Sequence, residues 1–369
     1  MYSNAFTNKV VWMSGHTGFK GSWLAEWLLA IGAKVHGFSL CPPTDPALFD
    51  QLELARLLEH ETGDVRDLEQ VRRSIQAVQP DFVFHLAAQS LVRQSYARPV
   101  ETYAVNVQGT IHLLEALREL KHSCAAVFVT TDKCYENREW SYGYREDDAL
   151  GGFDPYSSSK AAAELAIQAY RRSFFQDHPV RIASARAGNV IGGGDWATDR
   201  IVPDCIRSLE HNCAIRVRHP EATRPWQHVL EPLSGYLWLA AVMAGCGKKH
   251  LNGYQPCTAF NFGPGPEANR SVAELVSELL KHWPGSWEDI SNPAAVHEAA
   301  LLHLCADKAR QQLRWAPVLD FAQAVALTAD WYRHAQQSQG SATLRELTRS
   351  QINSYSRQAR EKDIVWALE

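Results

Sequence analysis

The chain predicts an α/β fold built on a doubly wound parallel sheet, and three observations carry that prediction. Apolar, β-rich runs alternate with helical patterns through the first half. A glycine-spaced turn, Gly15-His16-Thr17-Gly18-Phe19-Lys20-Gly21, joins the first run to the first helix. Strand and helix then repeat in the order that right-handed crossovers require, which covers a parallel sheet on both faces.

Lys9 to Ser14 reads as a buried strand, Phe19 to Ile31 as a helix and Lys34 to Leu40 as a second strand. Leu68 to Val78 has helical spacing, Phe82 to Leu86 is a strand, and Ala104 to Leu120 is one long helix. Ala125 to Thr131 is the next strand, followed by a helix from Tyr156 to Phe175 and a strand from Arg181 to Ala185. Beyond Gly192-Gly193-Gly194 the pattern is broken by proline-containing stretches, and Phe260 to Gly263 returns as a strand. Residues 1–186 are therefore read as a Rossmann-type nucleotide-binding domain, together with the return strand at 260–263. Residues 187–335 form a smaller, mixed α/β substrate-binding domain interleaved with it. Residues 336–369, rich in Gln, Ser and Arg, read as an exposed helical tail.

The 369 residues carry a net charge of -4 with both signs mixed, which gives no basic surface for nucleic acid. No apolar run reaches membrane-spanning length, and the first residues lack a signal-peptide pattern. Eight scattered cysteines without a C-x-x-C pair point to a reducing cytoplasm, and fifteen histidines show no metal-ligand spacing, so no metal is expected.

Glycines in G-x-x-G-x-x-G let a backbone turn tightly against a pyrophosphate resting on a helix N-terminus. Gly15, His16, Thr17, Gly18, Phe19 and Gly21 are thus the first cofactor-binding candidates. An acid about twenty positions on ordinarily holds the adenosine ribose. Here the second strand ends in Phe38-Ser39-Leu40, with no acid and no following arginine to clamp a 2′-phosphate. NAD is the cofactor this favours over NADP, bound more loosely than an acid at Ser39 would allow. Asp64 lies in a loop suited to meeting the adenine, or it caps the following helix.

Tyr156 and Lys160 stand four residues apart on one helix face. An ammonium near a phenol favours the phenolate, so Lys160 is expected to lower the Tyr156 pKa from near 10. Such a tyrosine can take the proton of an alcohol while a cofactor takes the hydride. Beside Thr131, which can orient that alcohol, sit Asp132 and Lys133. Oxidation needs neither of these two; removing water needs both. The acid must then be protonated and the base neutral at once, which predicts a coupled pair in a pocket closed to solvent. An epimerase of the same fold has no use for that pair, and a cofactor-sensing binding protein has no use for Tyr156 and Lys160.

The glycine loop, His85-Leu86-Ala87-Ala88-Gln89, Asn106, Thr131 and the Tyr156/Lys160 pair resemble the extended short-chain dehydrogenase/reductases. Within them the strings GHTGFKG, TDKCYENREW, GGFDPYS, RAGNVIGGGDW and RPWQHVLEPLSGY are similar to the sugar-nucleotide 4,6-dehydratases of the CDP-glucose branch, from about Val10 to Tyr332. Lys133 marks that branch, because the wider dehydratases carry Thr-Asp-Glu there. The resemblance implies a lyase that uses NAD to turn CDP-glucose, or a related sugar nucleotide, into a 4-keto-6-deoxy sugar. Deoxysugars of surface polysaccharide, such as a lipopolysaccharide O-antigen, are the usual destination. It implies that Tyr156, Thr131 and Lys160 serve C4 oxidation while Lys133 removes the C5 proton and Asp132 protonates the departing 6-hydroxyl. Leu86, Ala87, Ala88, Gln89 and Asn106 join the cofactor contacts. Gln89, Arg93, Asn189, Arg200, Arg218, Arg224 and His297 are the substrate candidates, Arg93 being equally a surface salt bridge. The family carries a tyrosine and an aspartate where this chain has Leu301 and Cys305, which bears on base preference. A homodimer through the helices from Ala104 and Tyr156 is also implied.

Overall fold

Seven strands form one parallel sheet: β1 (Val10–Ser14), β2 (Lys34–Ser39), β3 (Glu59–Thr62), β4 (Phe82–His85), β5 (Cys124–Val129), β6 (Val180–Ala187) and β7 (Ala259–Phe262). The structure, a computed structural model, describes residues 3–247, 256–291, 301–337 and 341–368. The strand order is β7-β6-β5-β4-β1-β2-β3. The chain winds outward one way from β1 through β2 and β3, then the other way from β4, so the order reverses between β1 and β4. Ligands of such sheets lie in the crevice beyond the carboxyl ends of the strands at that reversal.

The central strands form because nearly every residue can be buried on both faces: Val11, Trp12, Met13, Val83, Phe84, Ala126, Val127 and Phe128 are wholly enclosed. Edge strand β3 reads Glu59-His60-Glu61-Thr62 and is largely exposed, so no apolar run announces it. Helices α1 (Phe19–Ala30), α2 (Leu68–Val78), α3 (Gly109–Arg118) and α4 (Pro155–Phe174) cover the sheet. Asp67 caps α2 by accepting from the Gln70 amide, and Asp154 caps α4 ahead of Pro155. The stretch expected as one helix over Ala104 to Leu120 instead begins at Pro99, loosens into a π turn over Ala104–Gln108, and ends at Arg118. A π turn inside a helix re-aims a side chain, here that of Asn106.

The later half interleaves with the sheet through β7, which pairs with β6. It adds three small ladders: Val190–Ile191 with Gln227–His228, Thr223–Pro225 with Asn269–Ser271, and Ile215–Val217 with Trp287–Asp289. Helix α5 (Leu230–Met243) is buried on every side between them and the sheet.

The tail corrects an expectation. Ser341–Glu361 is helical but not an exposed appendage: Leu344, Thr348, Ile352, Tyr355 and Ala359 form a buried stripe. Wholly buried Glu26 of α1 receives Arg345 at 3.0 Å and Arg349. Tyr355 stacks on Trp366 with ring centroids 5.6 Å apart. Sparse apolar residues at helical spacing, diluted by Gln, Ser and Arg, hide this docking in the composition.

Candidate active site

The carboxyl ends of β1, β4 and β5 bring most of the candidate residues to one place. After β1, Gly15 adopts a φ of +75°, and a Cβ there would lie 2.6 Å from the Ala87 amide nitrogen. A Cβ at Gly21 would lie 2.1 Å from the Gly15 carbonyl oxygen. These two glycines let the loop close on the sheet and on itself. A Cβ at Gly18 would meet only the Gly15 oxygen at 3.5 Å, so there the glycine leaves open space above the loop. Gly18 also begins α1 without any side-chain cap. An uncapped helix start over a glycine cradle fits a dinucleotide pyrophosphate. Thr17 bonds Ser39 at 2.9 Å and the Leu40 carbonyl at 3.1 Å, which ties the loop to the end of β2 where the acid is missing.

Two cofactor candidates have partners within the protein. The His16 ring is buried, lies 2.7 Å from His60 Nδ1, and is held neutral because burial and the neighbouring His60 lower its pKa to about 3. Asp64 is not the helix cap, a place Asp67 takes; its carboxylate is forked onto Arg66 at 2.6–3.0 Å. Gln89 has partners within the protein as well. Its amide group bonds Leu91 and Thr102, and its backbone bonds Asn106, so the side chain shapes the Leu86-Ala87-Ala88-Gln89 loop. Asn106 also donates to Ser159, locking that loop to the first turn of α4.

β5 ends at Val129, and Thr131 opens a single 3₁₀ turn over Asp132–Cys134. Its hydroxyl donates to Asp132 Oδ1 at 2.9 Å and accepts from the Lys133 amide at 3.4 Å. Thr131, Asp132 and Tyr156 are respectively 7%, 2% and 8% exposed, so water is largely shut out. Burial raises the Asp132 pKa, and the Lys133 charge, the Thr131 hydrogen bond, Arg224 and Lys20 oppose that rise. Asp132 Oδ2 makes no hydrogen bond among the described residues and lies where a Cβ on Gly188 would come within 2.8 Å.

The Tyr156/Lys160 pair corrects a second expectation. The phenol is pushed up to about 12, not lowered, because burial penalises the phenolate by more than the Thr131 hydrogen bond favours it. Lys160 points its ammonium at the Val129 carbonyl, 3.4 Å away. Burial lowers its pKa to about 8 against the pull of Glu164.

Sequence reasoning missed Lys20. From the first turn of α1 its charge acts on Arg200, Asp132 and Lys160. Burial and the Arg200 charge lower its pKa to about 8. The signal was available, since a lysine between Phe19 and Gly21 leaves a cation at a helix N-terminus, where positive charge is disfavoured.

The substrate candidates separate. Arg200 bonds Asp195 at 2.9 Å and Ser90 at 3.2 Å, and its charge is felt at Tyr156. Arg93 and Arg218 meet on Asp199 at 3.3 and 3.0 Å along the rim. Arg224 donates to the Thr223 carbonyl at 2.7 Å and acts on Asp132. The Asn189 carbonyl accepts from the Gln227 amide at the start of the second lobe. Leu301 accepts from Asn137, and Cys305 pairs by backbone with Tyr144. His297 lies outside the described residues. Among the described residues no helix is long and apolar enough to cross a membrane, and no cluster of His, Cys, Asp and Glu is arranged to hold a metal.

Residues 13–245 match the family described as GDP-mannose 4,6 dehydratase. The chain is 46% identical over 339 residues to the CDP-glucose 4,6-dehydratase of Salmonella typhimurium, covering 89% of this chain and 92% of that protein. It is 26% identical over 281 residues to the dTDP-D-glucose 4,6-dehydratase of Homo sapiens, covering 73% and 74% respectively. Among solved structures, a dTDP-glucose 4,6-dehydratase of Streptomyces venezuelae with NAD bound is similar at a TM-score of 0.75 and 23% identity, covering 89% of this chain and 98% of that one. The UDP-glucose 4-epimerase of Thermotoga maritima with UDP-glucose matches at a TM-score of 0.75 and 20% identity, covering 89% and 99%. These structural likenesses speak for the fold.

Proposed function

The chain belongs to the GDP-mannose 4,6 dehydratase family, and from that membership we propose that it is an NAD-dependent hydro-lyase converting CDP-glucose to CDP-4-dehydro-6-deoxy-glucose. One observation carries the reading beyond the shared fold: Asp132, buried and bonded to Thr131, feels the Lys133 charge and lies close enough to the Tyr156 phenol for its own charge to act there. An epimerase needs only the alcohol chemistry of Tyr156. Loss of water needs an acid and a base as well.

In this reading Tyr156, with Thr131 and Lys160, takes the proton of the 4-hydroxyl. The resulting ketone acidifies the C5 proton, which Lys133 removes while Asp132 protonates the departing 6-hydroxyl. Gly15, Gly18 and Gly21 would cradle NAD, whose nicotinamide would supply the acceptor, and later the donor, for the migrating hydride. Arg200 and Arg224, both acting electrostatically on this cluster, are suited to the sugar-nucleotide diphosphate through planar bidentate contacts. Arg93 and Arg218 extend that positive rim. The 46% identical relative supports the cytidine nucleotide.

A cytoplasmic homodimer accompanies this reading. Val100 and Tyr103 on the Pro99–Tyr103 helix, with Leu165 and Phe174 on α4, are exposed apolar residues that a helical bundle between two copies would cover. The function is tested by incubating the protein with NAD and CDP-, dTDP-, UDP- or GDP-glucose. The 4-keto product is followed by its absorbance in base and the loss of water by mass. CDP-glucose should react fastest; an isomer of unchanged mass would establish epimerisation instead.

A further inference from the structure

At the end of β2, where an acid ordinarily holds the adenosine ribose, this chain has Ser39. The backbone there is fixed: Ser39 pairs with Thr62 of β3, and its carbonyl accepts from the Gly63 amide at 3.0 Å. Its side chain meets the phosphate loop, with Oγ 2.9 Å from Thr17 Oγ1. Both residues are buried, so the two hydroxyls keep each other as partners in place of water.

The direction of that bond follows from a third group. Thr17 Oγ1 lies 3.1 Å from the Leu40 carbonyl oxygen, which has no hydrogen, so Thr17 is the donor there. A hydroxyl carries a single hydrogen. Thr17 has none left for Ser39, and Ser39 is therefore the donor to Thr17. The chain runs one way, from the Ser39 O–H to the Thr17 O–H to the Leu40 carbonyl. With its hydrogen so committed, Ser39 Oγ can meet a ligand only as an acceptor. An acceptor suits a ribose 2′-hydroxyl, which has a hydrogen to donate. It opposes a 2′-phosphate, which is anionic and needs donors. Residues 38–45 contain no lysine or arginine to offset that, and Arg66, the first such cation beyond β3, is forked onto Asp64.

Resting on the NAD-dependent reading above, we propose that Ser39 is a neutral ribose anchor and that Thr17 makes it one. By taking the serine hydrogen, Thr17 turns a hydroxyl that could donate or accept into a dedicated acceptor. Ser39 then does what a carboxylate would do, without the charge. The choice of NAD over NADP comes from the polarity of one hydrogen-bond chain. Thr17 works through Ser39 and is a positioning residue.

The test titrates the full-length protein with NAD and with NADP by calorimetry, in the absence of sugar nucleotide. The unmodified chain is compared with Ser39→Ala, Thr17→Val and Thr17→Ser. Ser39→Ala should bind NAD about 2- to 10-fold more weakly, the loss of one hydrogen bond, and NADP as before. Thr17→Val frees the serine hydrogen to turn toward the ligand, so the ratio of the NADP to the NAD dissociation constant should fall by about 2- to 10-fold. Thr17→Ser still receives that hydrogen and should keep the ratio of the unmodified chain. Equal weakening of both dinucleotides in Ser39→Ala would make the serine merely structural and overturn the proposal. A ratio lost in Thr17→Ser would overturn it too, and these two variants decide the matter even if the valine variant does not fold. An unmodified chain that binds neither dinucleotide would sink the NAD reading itself. That outcome is distinct from NAD binding that Ser39→Ala leaves unchanged, which removes the anchor alone.

Discussion

The Glu164 carboxylate stands one helical turn beyond Lys160, and its charge is the largest influence raising a lysine pKa that burial lowers to about 8. Although burial works against its ionisation, Glu164 is held charged by Arg186 at 2.8 Å and by the Thr130 and Ser184 hydroxyls. Tyr156, Lys160 and Glu164 thus form a line down one face of α4, ending in a buried ion pair that anchors β5 and β6.

A pH dependence follows. The Lys160 ammonium is lost as pH rises through about 8, so C4 oxidation should decline on that alkaline limb. Glu164→Gln removes the charge that holds the proton on Lys160, and the limb should move to lower pH by on the order of one unit. Measuring the pH profile of the dehydration rate in both proteins decides it. An unmoved limb would mean that Glu164 serves only the Arg186 pair. Because Arg186 would be left with an uncompensated buried charge, denaturant unfolding should also show a loss of about 3–5 kcal/mol.

Lys133→Ala should separate the two halves of the reaction. Hydride uptake from C4, seen as NADH absorbance, should remain detectable, while loss of the 6-hydroxyl falls by about 10²- to 10⁴-fold. Equal loss of both partial reactions would assign Lys133 a structural task.

Much of this was legible in the residues. The central strands are apolar enough to need burial on both faces, the glycine spacing demands a tight turn before a helix, and the strings around Thr131 and Tyr156 resemble a family to which a 46% identical relative points as well. What escaped was whatever depends on distance in space. Polar β3 pairs with β2 at the sheet edge without an apolar run of its own. Lys20 reaches Asp132 from a helix more than a hundred residues earlier. The Tyr156 pKa was misread because sequence spacing reports the neighbouring lysine but not the depth of burial.

Gly188 has a specific reason to lack a side chain. A Cβ there would stand 2.8 Å from Asp132 Oδ2 and 3.2 Å from Pro225 Cγ. Gly188→Ala should displace the Asp132 carboxyl by a few tenths of an ångström to an ångström and slow dehydration by about 10²-fold. The thermal unfolding midpoint, measured alongside, separates displacement of the acid from a general loss of stability. An alanine variant with full activity would place the acid elsewhere.

Glu231 makes stability itself sensitive to pH. Its carboxylate sits under the tail, accepting from the Val318 and Leu319 amides and the Tyr355 hydroxyl, and is 1% exposed. Burial outweighs those hydrogen bonds and raises its pKa from 4.5 to about 7. The folded state therefore binds a proton that the unfolded chain releases between about pH 4.5 and 7, and the contribution of this group to stability falls as pH rises across that window, then levels off above it. Two and a half units correspond to about 3 kcal/mol. Glu231→Gln has no proton to lose, so its unfolding free energy should vary less between pH 5 and 8 than that of the unmodified chain. Urea unfolding at the two pH values measures the difference. A parallel pH dependence in both proteins would move the origin of the effect away from the contact between α5 and the C-terminal helix.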